Sequence, residues 1–139
     1  MQKRLKIALV ASLLLAVVLP VRAAQELSAT QKIIFEVAKA VMLELKANTG
    51  EKPSKADVAN KLMTKLRERM DEFKIAYKSE CLVTYGENKN SECGCLMEKT
   101  DFNEMFDLLE KQLTDISERE KIQKQIDDQE NETRKACGF

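Results

Sequence analysis

The chain has 139 residues, among them 23 basic residues, 23 acidic residues and no histidine. The lack of histidine excludes Ser-His and Cys-His nucleophile systems and metal sites built on paired histidines. We find no basic stripe with interleaved aromatic residues, and therefore do not expect nucleic acid as a partner. The length suits a single small domain, of the size at which covalent cross-links begin to help stability.

Residues 1–23 have the features of a cleavable export signal. Its parts are a basic start at Lys3, Arg4 and Lys6, an apolar run over 7–19, and small residues around a cleavage point at 21–23. The apolar run is too short to span a bilayer comfortably, and no cysteine near its end offers a thiol for lipid attachment. We therefore expect one soluble domain over residues 24–139, with no membrane insertion after cleavage.

Cleavage changes both the charge and the chemical surroundings of the chain. The signal contains four of the 23 basic residues and none of the 23 acidic ones, so residues 24–139 carry a formal charge of −4. A mildly acidic chain is not attracted to phosphate backbones. The signal is compact, as in bacterial export, which predicts a periplasmic or secreted location and an oxidising compartment for the cysteines.

Helical periodicity recurs throughout the mature chain, and no alternation of polar and apolar residues is long enough to predict a strand. Polar breaks near residues 48–53, 86–90 and 114–117 divide the chain into four helical segments. The predicted fold is therefore all-α, a small four-helix bundle in up-down-up-down order that is cross-linked by two disulfides.

The first two segments each begin with a pair of residues suited to helix capping. Ser28 with Gln31 can open the first helix, and Ser54 with Asp57 can open a longer second helix. The apolar side of the first holds Ile34, Val37, Ala38, Val41 and Leu45, with Lys32, Glu36, Lys39 and Lys46 opposite. The second carries a core-like seam of Ala59, Met63, Leu66, Met70, Phe73 and Tyr77.

The last two segments differ in how much apolar surface they offer. The segment 91–113 is read as one helix or two, since Asp101 with Glu104 can cap a fresh start near Thr100. Its apolar stripe holds Cys95, Phe102, Phe106, Leu109 and Leu113. The final helix, about 117–136, has two strong core residues, Ile122 and Ile126, and would hold poorly by packing alone.

The four cysteines fall where the predicted bundle brings helix ends together. Cys81 ends the second helix, Cys93 and Cys95 begin the third segment, and Cys137 ends the fourth. Four thiols at one end of an exported protein predict two disulfides. Each bond is expected to contribute about 3 to 4 kcal/mol by loop-entropy estimates.

Two disulfide pairings are realistic, because a bond between Cys93 and Cys95 would close a very small, strained ring across Gly94. Each set joins Cys81 and Cys137 to one member of the Cys-Gly-Cys pair. We favour Cys81 with Cys95 and Cys93 with Cys137, and keep the other set as the alternative.

The residues suggest little other chemistry. A zinc site built on the four thiolates competes with oxidation and lacks histidine, and a redox role for Cys93-Gly94-Cys95 lacks the thioredoxin pattern. Carboxylate pairs such as Glu104 with Asp107 are read as solvated faces rather than as acid and base. No cofactor, metal ligand or catalytic residue is predicted, and enzymatic activity is not expected.

Three functional hypotheses follow from this sequence. The first is a non-enzymatic binding protein that engages another envelope or secreted protein, as an inhibitor, immunity factor or adaptor does. The second is a carrier or chaperone for apolar ligands, using the seam around Met63 and Met70 with the first helix as a movable cover. The third is thiol-disulfide exchange through Cys93 and Cys95.

The connection after the second helix is a candidate contact loop. It is polar and lies between two predicted cross-links, so it should be a presented, constrained turn. The candidate residues are Tyr85, Glu87, Asn88, Lys89 and Asn90.

Overall fold

The computed structural model describes residues 26–48, 50 and 52–139, so the predicted export signal at residues 1–23 lies outside them. This part of the chain is all-α and contains no strand, which confirms the predicted fold class. Its helices are α1 (Ala29–Asn48), α2 (Lys55–Glu68), α3 (Met70–Tyr85), a 3-10 turn (Glu87–Lys89), α4 (Asn90–Lys99), α5 (Phe102–Thr114) and α6 (Arg119–Ala136). None of the described helices combines the length and the apolar character that a membrane span requires.

α1 begins with the predicted reciprocal cap. The Ser28 amide donates to the Gln31 side chain at 2.9 Å, and the Gln31 amide donates to Ser28 Oγ at 3.4 Å. This satisfies two amide donors that lack a partner within the helix. The buried face of α1 consists of Ile33, Ile34, Val37, Val41 and Leu45. Burial of these side chains is the main stabilising contribution to a helix rich in β-branched residues.

The apolar seam from Ala59 to Tyr77 predicted one long second helix, and the structure has two helices there, α2 and α3. Ser54 and Asp57 form the expected capping box at the start of α2. The division falls at Arg69, whose amide bonds back to the carbonyl of Leu66 at 3.1 Å, three residues earlier rather than four. The backbone leaves helical geometry at this residue, with φ −106° and ψ 25°, because the last turn is tightened. The apolar seam continues across this break, and Phe73 and Tyr77 are both buried.

The third predicted segment is likewise two helices, as the capping pair at its centre suggested. Asp101 lies in extended conformation, and its side chain accepts a hydrogen bond from the Glu104 amide at 3.0 Å. α5 then places Phe102 and Phe106 in the core, where both rings meet the Phe73 ring edge to face. Such contacts add to the stabilisation from burial.

The helices share one apolar core, and α1 lies at its edge. α1 runs antiparallel to α2 and α3: Thr30 Oγ1 is 2.6 Å from Glu80 at one end, and Lys61 is 2.7 Å from Glu44 at the other. α5 packs between α2 and α6, while α4 joins α3 to α6. The bundle is therefore built from four predicted segments, two of which are each divided into a pair of helices.

α6 has the meagre core contact that the sequence predicted. Its buried side chains are Ile122 and Ile126. Near its start, the buried Gln112 of α5 donates to Gln123 at 2.9 Å. Packing of two isoleucines and a polar contact of this kind stabilise a helix of 18 residues only modestly.

Candidate functional site

The disulfides use the second of the two pairings considered from the sequence. Cys81 bonds to Cys93, and Cys95 bonds to Cys137, with Cα atoms 5.7 Å apart in both pairs. The favoured pairing, Cys81 with Cys95 and Cys93 with Cys137, is therefore wrong. The prediction that two bonds tie the ends of α3, α4 and α6 together is correct.

Helix geometry explains why the favoured pairing failed. α4 begins at Asn90, so Cys93 and Cys95 both lie inside a helix, in agreement with the predicted segment 91–113. Residues two apart on a helix point about 200° apart around its axis, so the two thiols face opposite sides. Cys93 faces the core and is fully buried beside Cys81, whereas Cys95 is half-buried and faces the end of α6.

Both bonds are formed, and the described residues contain no free cysteine. This is consistent with an oxidising, extracellular compartment. The Cys81–Cys93 bond is wholly enclosed, so a thiolate could reach it only after local opening. Within the described ranges, no group of three or more His, Cys, Asp or Glu residues is placed to hold a metal ion.

The candidate contact loop is only partly available for contact. Tyr85 packs against the C-terminal Phe139 with ring centroids 4.7 Å apart, and Lys89 Nζ lies 5.8 Å from the same ring. Lys89 also pairs with Glu92 at 2.9 Å. These contacts hold the chain end against the loop and leave the exposed members as Glu87, Asn88 and Asn90.

The backbone of this loop depends on Gly86. Its φ is +100°, a conformation that side chains with a Cβ rarely adopt, and an added Cβ would lie 2.8 Å from Asn88 Oδ1. Gly86 therefore sets the sharp exit from α3 that allows α4 to fold back and bring Cys93 to Cys81.

A cleft of about 170 Å³ lies where α3, α6 and the junction of α4 with α5 meet. Burial, together with the nearby Glu130 carboxylate, raises the pKa of Tyr77 to about 12. Burial also raises the pKa of Glu130, although Arg134 bonds to it at 2.6 Å and opposes the shift. Arg134 lies over the Tyr85 ring as well. These groups join α6 to α3, and we interpret the cleft as a gap in this helix–helix interface rather than as a binding site.

The seam around Met63 and Met70, which motivated the carrier hypothesis, is core. Met63 and Leu66 are completely buried, and Met70 is partly buried against the same cluster. The buried face of α1 covers this core. Because α5 also packs against α2, a ligand could reach the seam only if α1 or α5 moved away.

The outer face of α1 exposes large apolar side chains to solvent. Phe35 is 46% exposed, Met42 is 40% exposed and Leu43 is 61% exposed. Exposed apolar residues usually occur singly on protein surfaces, whereas three on one helix form a patch that calls for an explanation.

Lysines alternate with two of these side chains along the same line of the helix. We call this line the α1 stripe; its members, in order, are Lys32, Phe35, Lys39, Met42 and Lys46. Like members recur every seven residues, which is close to two turns and keeps them on one side. Leu43 lies at the edge of the stripe. All five stripe residues are exposed, and they lie opposite the buried face of α1.

The charges on α1 are separated by side. Its two carboxylates both bind neighbouring helices: Glu36 pairs with Arg69 at 3.1 Å, and Glu44 pairs with Lys61. The hydrogen bond from Lys61 lowers the pKa of Glu44. Within the part of the chain that the structure describes, the three lysines of the stripe make no ion pair. The stripe is therefore cationic and apolar, with its counter-charges turned towards α2 and α3.

Exposed large apolar residues elsewhere are more isolated. Ile75 and Val83 lie eight residues apart on α3, and Ile116 lies between α5 and α6. Among the large apolar residues that the structure describes, Val83 is the most exposed, at 85%. Because neither element carries a comparable repeat of apolar and charged side chains, we take the α1 stripe as the candidate functional site.

Sequence reasoning missed this site. It assigned Lys32, Lys39 and Lys46 to the solvated side of the first helix and found no basic stripe with interleaved aromatic residues, although Phe35 lies among these lysines. The seven-residue repeat was the available signal. Comparison with protein-family models, curated proteins and solved structures finds no match to this chain.

Proposed function

We propose that this chain is a non-enzymatic binding protein, exported through the segment 1–23, that engages another protein of the bacterial envelope or a secreted protein. The observation that carries the proposal is the exposure of Phe35, Met42 and Leu43 on a single helix at the edge of the core. We propose that the partner covers these three side chains.

Burial of apolar surface supplies most of the driving force when proteins associate. Each of these side chains is roughly half exposed, so covering it would contribute on the order of 1 kcal/mol. A few such residues at the centre of an interface commonly dominate its binding energy. The three side chains therefore suit the centre of a contact, with the lysines of the α1 stripe around them.

The rest of the molecule supports a rigid presentation of this face. α1 is held by five buried side chains and by ion pairs at Glu36 and Glu44. Both disulfides cross-link the end of the bundle at which α1 begins, since Thr30 contacts Glu80 beside Cys81. A preorganised surface loses less conformational entropy on binding, which increases affinity. Disulfides serve this purpose outside the cell, where the thiols are not kept reduced.

The proposal is tested by affinity capture from a native envelope extract with two triple variants. One replaces Phe35, Met42 and Leu43 by Ser, and the matched control replaces Ile75, Val83 and Ile116 by Ser. Each variant removes three exposed apolar side chains, so both should fold, and circular dichroism and the melting temperature verify this. We expect the wild type and the control to capture the same partner, and the α1 variant to lose it.

Two results would count against the proposal. Capture that survives in the α1 variant but fails in the control would move the contact to α3 and the α5–α6 turn. If folded wild-type protein at near-native abundance enriches nothing over a resin blank, the binding function itself is wrong.

A further inference from the structure

Resting on the proposed function, we infer that the partner presents an acidic amphipathic α-helix, which lies along the α1 stripe. The inference combines the seven-residue repeat of this stripe with the charge that its lysines carry.

The spacing of the stripe matches what a second helix offers. Lys32 and Lys46 are fourteen residues apart, which is about 21 Å along a helix axis. Phe35 and Met42 repeat at the heptad interval on which apolar side chains of paired helices interdigitate. An extended strand repeats every two residues and would bring its side chains out of step with this stripe.

The positive charge of the α1 stripe favours an acidic partner helix. The lysines flank the apolar positions of the stripe, as charged residues flank the seam of paired helices and determine partner choice. Both carboxylates of α1 are already paired with Arg69 and Lys61. No acidic side chain of α1 is thus left to neutralise Lys32, Lys39 or Lys46, and carboxylates on the partner would do so.

A second copy of the chain fits the stripe poorly. A two-fold axis through the middle of the stripe would place Lys39 against Lys39 and Lys32 against Lys46. Like charges in direct opposition are destabilising. The stripe is therefore self-repelling, and a homodimer through this face is disfavoured.

Anionic membranes and nucleic acids also fit less well. A helix that binds a membrane surface inserts its whole apolar face, and that of α1 is buried in the core. Affinity for nucleic acid depends on the number of phosphates that basic side chains neutralise, and this stripe offers three lysines. The formal charge of −4 over residues 24–139 opposes the approach of either polyanion.

The test uses two synthetic peptides, each about three heptads long, with leucines at the core positions and either glutamates or lysines at the flanking ones. Binding to the full oxidised protein is measured by fluorescence anisotropy. One variant carries Lys→Glu at positions 32, 39 and 46. The control carries Lys→Glu at the exposed positions 55, 111 and 135, which gives the same change in net charge.

We expect the acidic peptide to bind the wild type and the control about equally. Its affinity for the α1 variant should fall about tenfold or more, and that variant should instead prefer the basic peptide. Such a reversal cannot arise from loss of fold. Equal binding of the two peptides by the wild type would overturn the inference.

Two further measurements show what else binds the α1 stripe if the inference is wrong. If the wild type shows no peptide preference but sediments with phosphatidylglycerol vesicles, the stripe binds a membrane surface and not an acidic helix. If the wild type forms a concentration-dependent dimer that the Phe35, Met42 and Leu43 substitutions abolish, the stripe binds a second copy of the chain. If the α1 variant loses partner capture while the peptides show no preference, the proposed function stands and only this inference fails.

Discussion

α1 and α6 are both outer helices of similar length, yet they are attached by opposite means. α1 buries five apolar side chains, contains no cysteine and is therefore not held by a disulfide. α6 buries two isoleucines and is tethered by the Cys95–Cys137 bond, with the Arg134–Glu130 pair and the Tyr85–Phe139 contact at the same end. The helix with the weaker core contact carries the cross-link.

The difference bears on function as well as on stability. Near the cross-linked end of α6, Arg134 and the chain terminus are engaged in contacts with the same molecule. On α1, the buried face suffices for attachment, so the outer face is free to carry exposed Phe35, Met42 and Leu43. A surface of this kind is available to a partner without loss of fold.

Removal of each disulfide tests how strongly α6 depends on its cross-link. Replacing Cys95 and Cys137 by Ala should lower the free energy of unfolding by about 4 kcal/mol, because this bond closes a loop of 42 residues. Replacing Cys81 and Cys93 removes a bond that spans 12 residues, and its entropic share is about 3 kcal/mol. Urea unfolding of both variants measures the two values.

Hydrogen exchange shows where the loss occurs. In the variant without Cys95 and Cys137, the α6 amides should lose protection while the α1 amides keep theirs. Equal loss of protection in both helices would mean that α1 also depends on the cross-link.

Substitutions at two adjacent residues of α1 distinguish its buried face from its exposed face. Ile34 is buried and Phe35 is half exposed. Ile34→Ala should cost roughly 2–5 kcal/mol of stability, since it leaves a cavity in the core, whereas Phe35→Ala should cost less than about 1 kcal/mol. Urea unfolding gives both values. Partner capture at a temperature where both are folded should be retained by the first variant and weakened in the second.

Alkaline pH is expected to lower the free energy of unfolding by a smaller amount, through the Tyr77 hydroxyl beside α6. The pKa of Tyr77 is raised to about 12, so between pH 10 and 12 the folded protein keeps a proton that the unfolded chain releases. Its contribution to stability is present below pH 10 and is lost as the pH rises to 12, a change of about 2 to 3 kcal/mol. Unfolding free energies at pH 9 and 11 measure the first half of this change, about 1.4 kcal/mol, with Tyr77→Phe as the control. A wild type and a control with the same slope would contradict the burial of this hydroxyl under α6.

Local features of this fold were predictable from the sequence, and the long-range ones were not. The caps at Ser28, Ser54 and Asp101 depend on partners three residues away, so their signals were readable. The helix break at Arg69 was missed because the apolar seam runs through it without Gly or Pro. The cysteine pairing depends on which side of α4 faces the end of α3 and which side faces the end of α6, and this long-range packing has no local sequence signal.

The candidate site was missed for a different reason. The spacing of Phe35 and Met42 was visible in the sequence, but which helices would leave that side of α1 uncovered was not. An exposed apolar stripe and a buried one have the same periodicity, and only the packing of the other helices distinguishes them.

Site-specific photo-cross-linking in living cells tests the central claim most directly, namely that the outer face of α1 is the contact surface. Benzoylphenylalanine replaces Phe35 or Met42 in two strains and Val83 in a third; Val83 is more exposed than either, at 85%. We predict that irradiation joins positions 35 and 42 to one common partner, and that position 83 yields none. A cross-link from position 83 with none from positions 35 and 42 would contradict the claim.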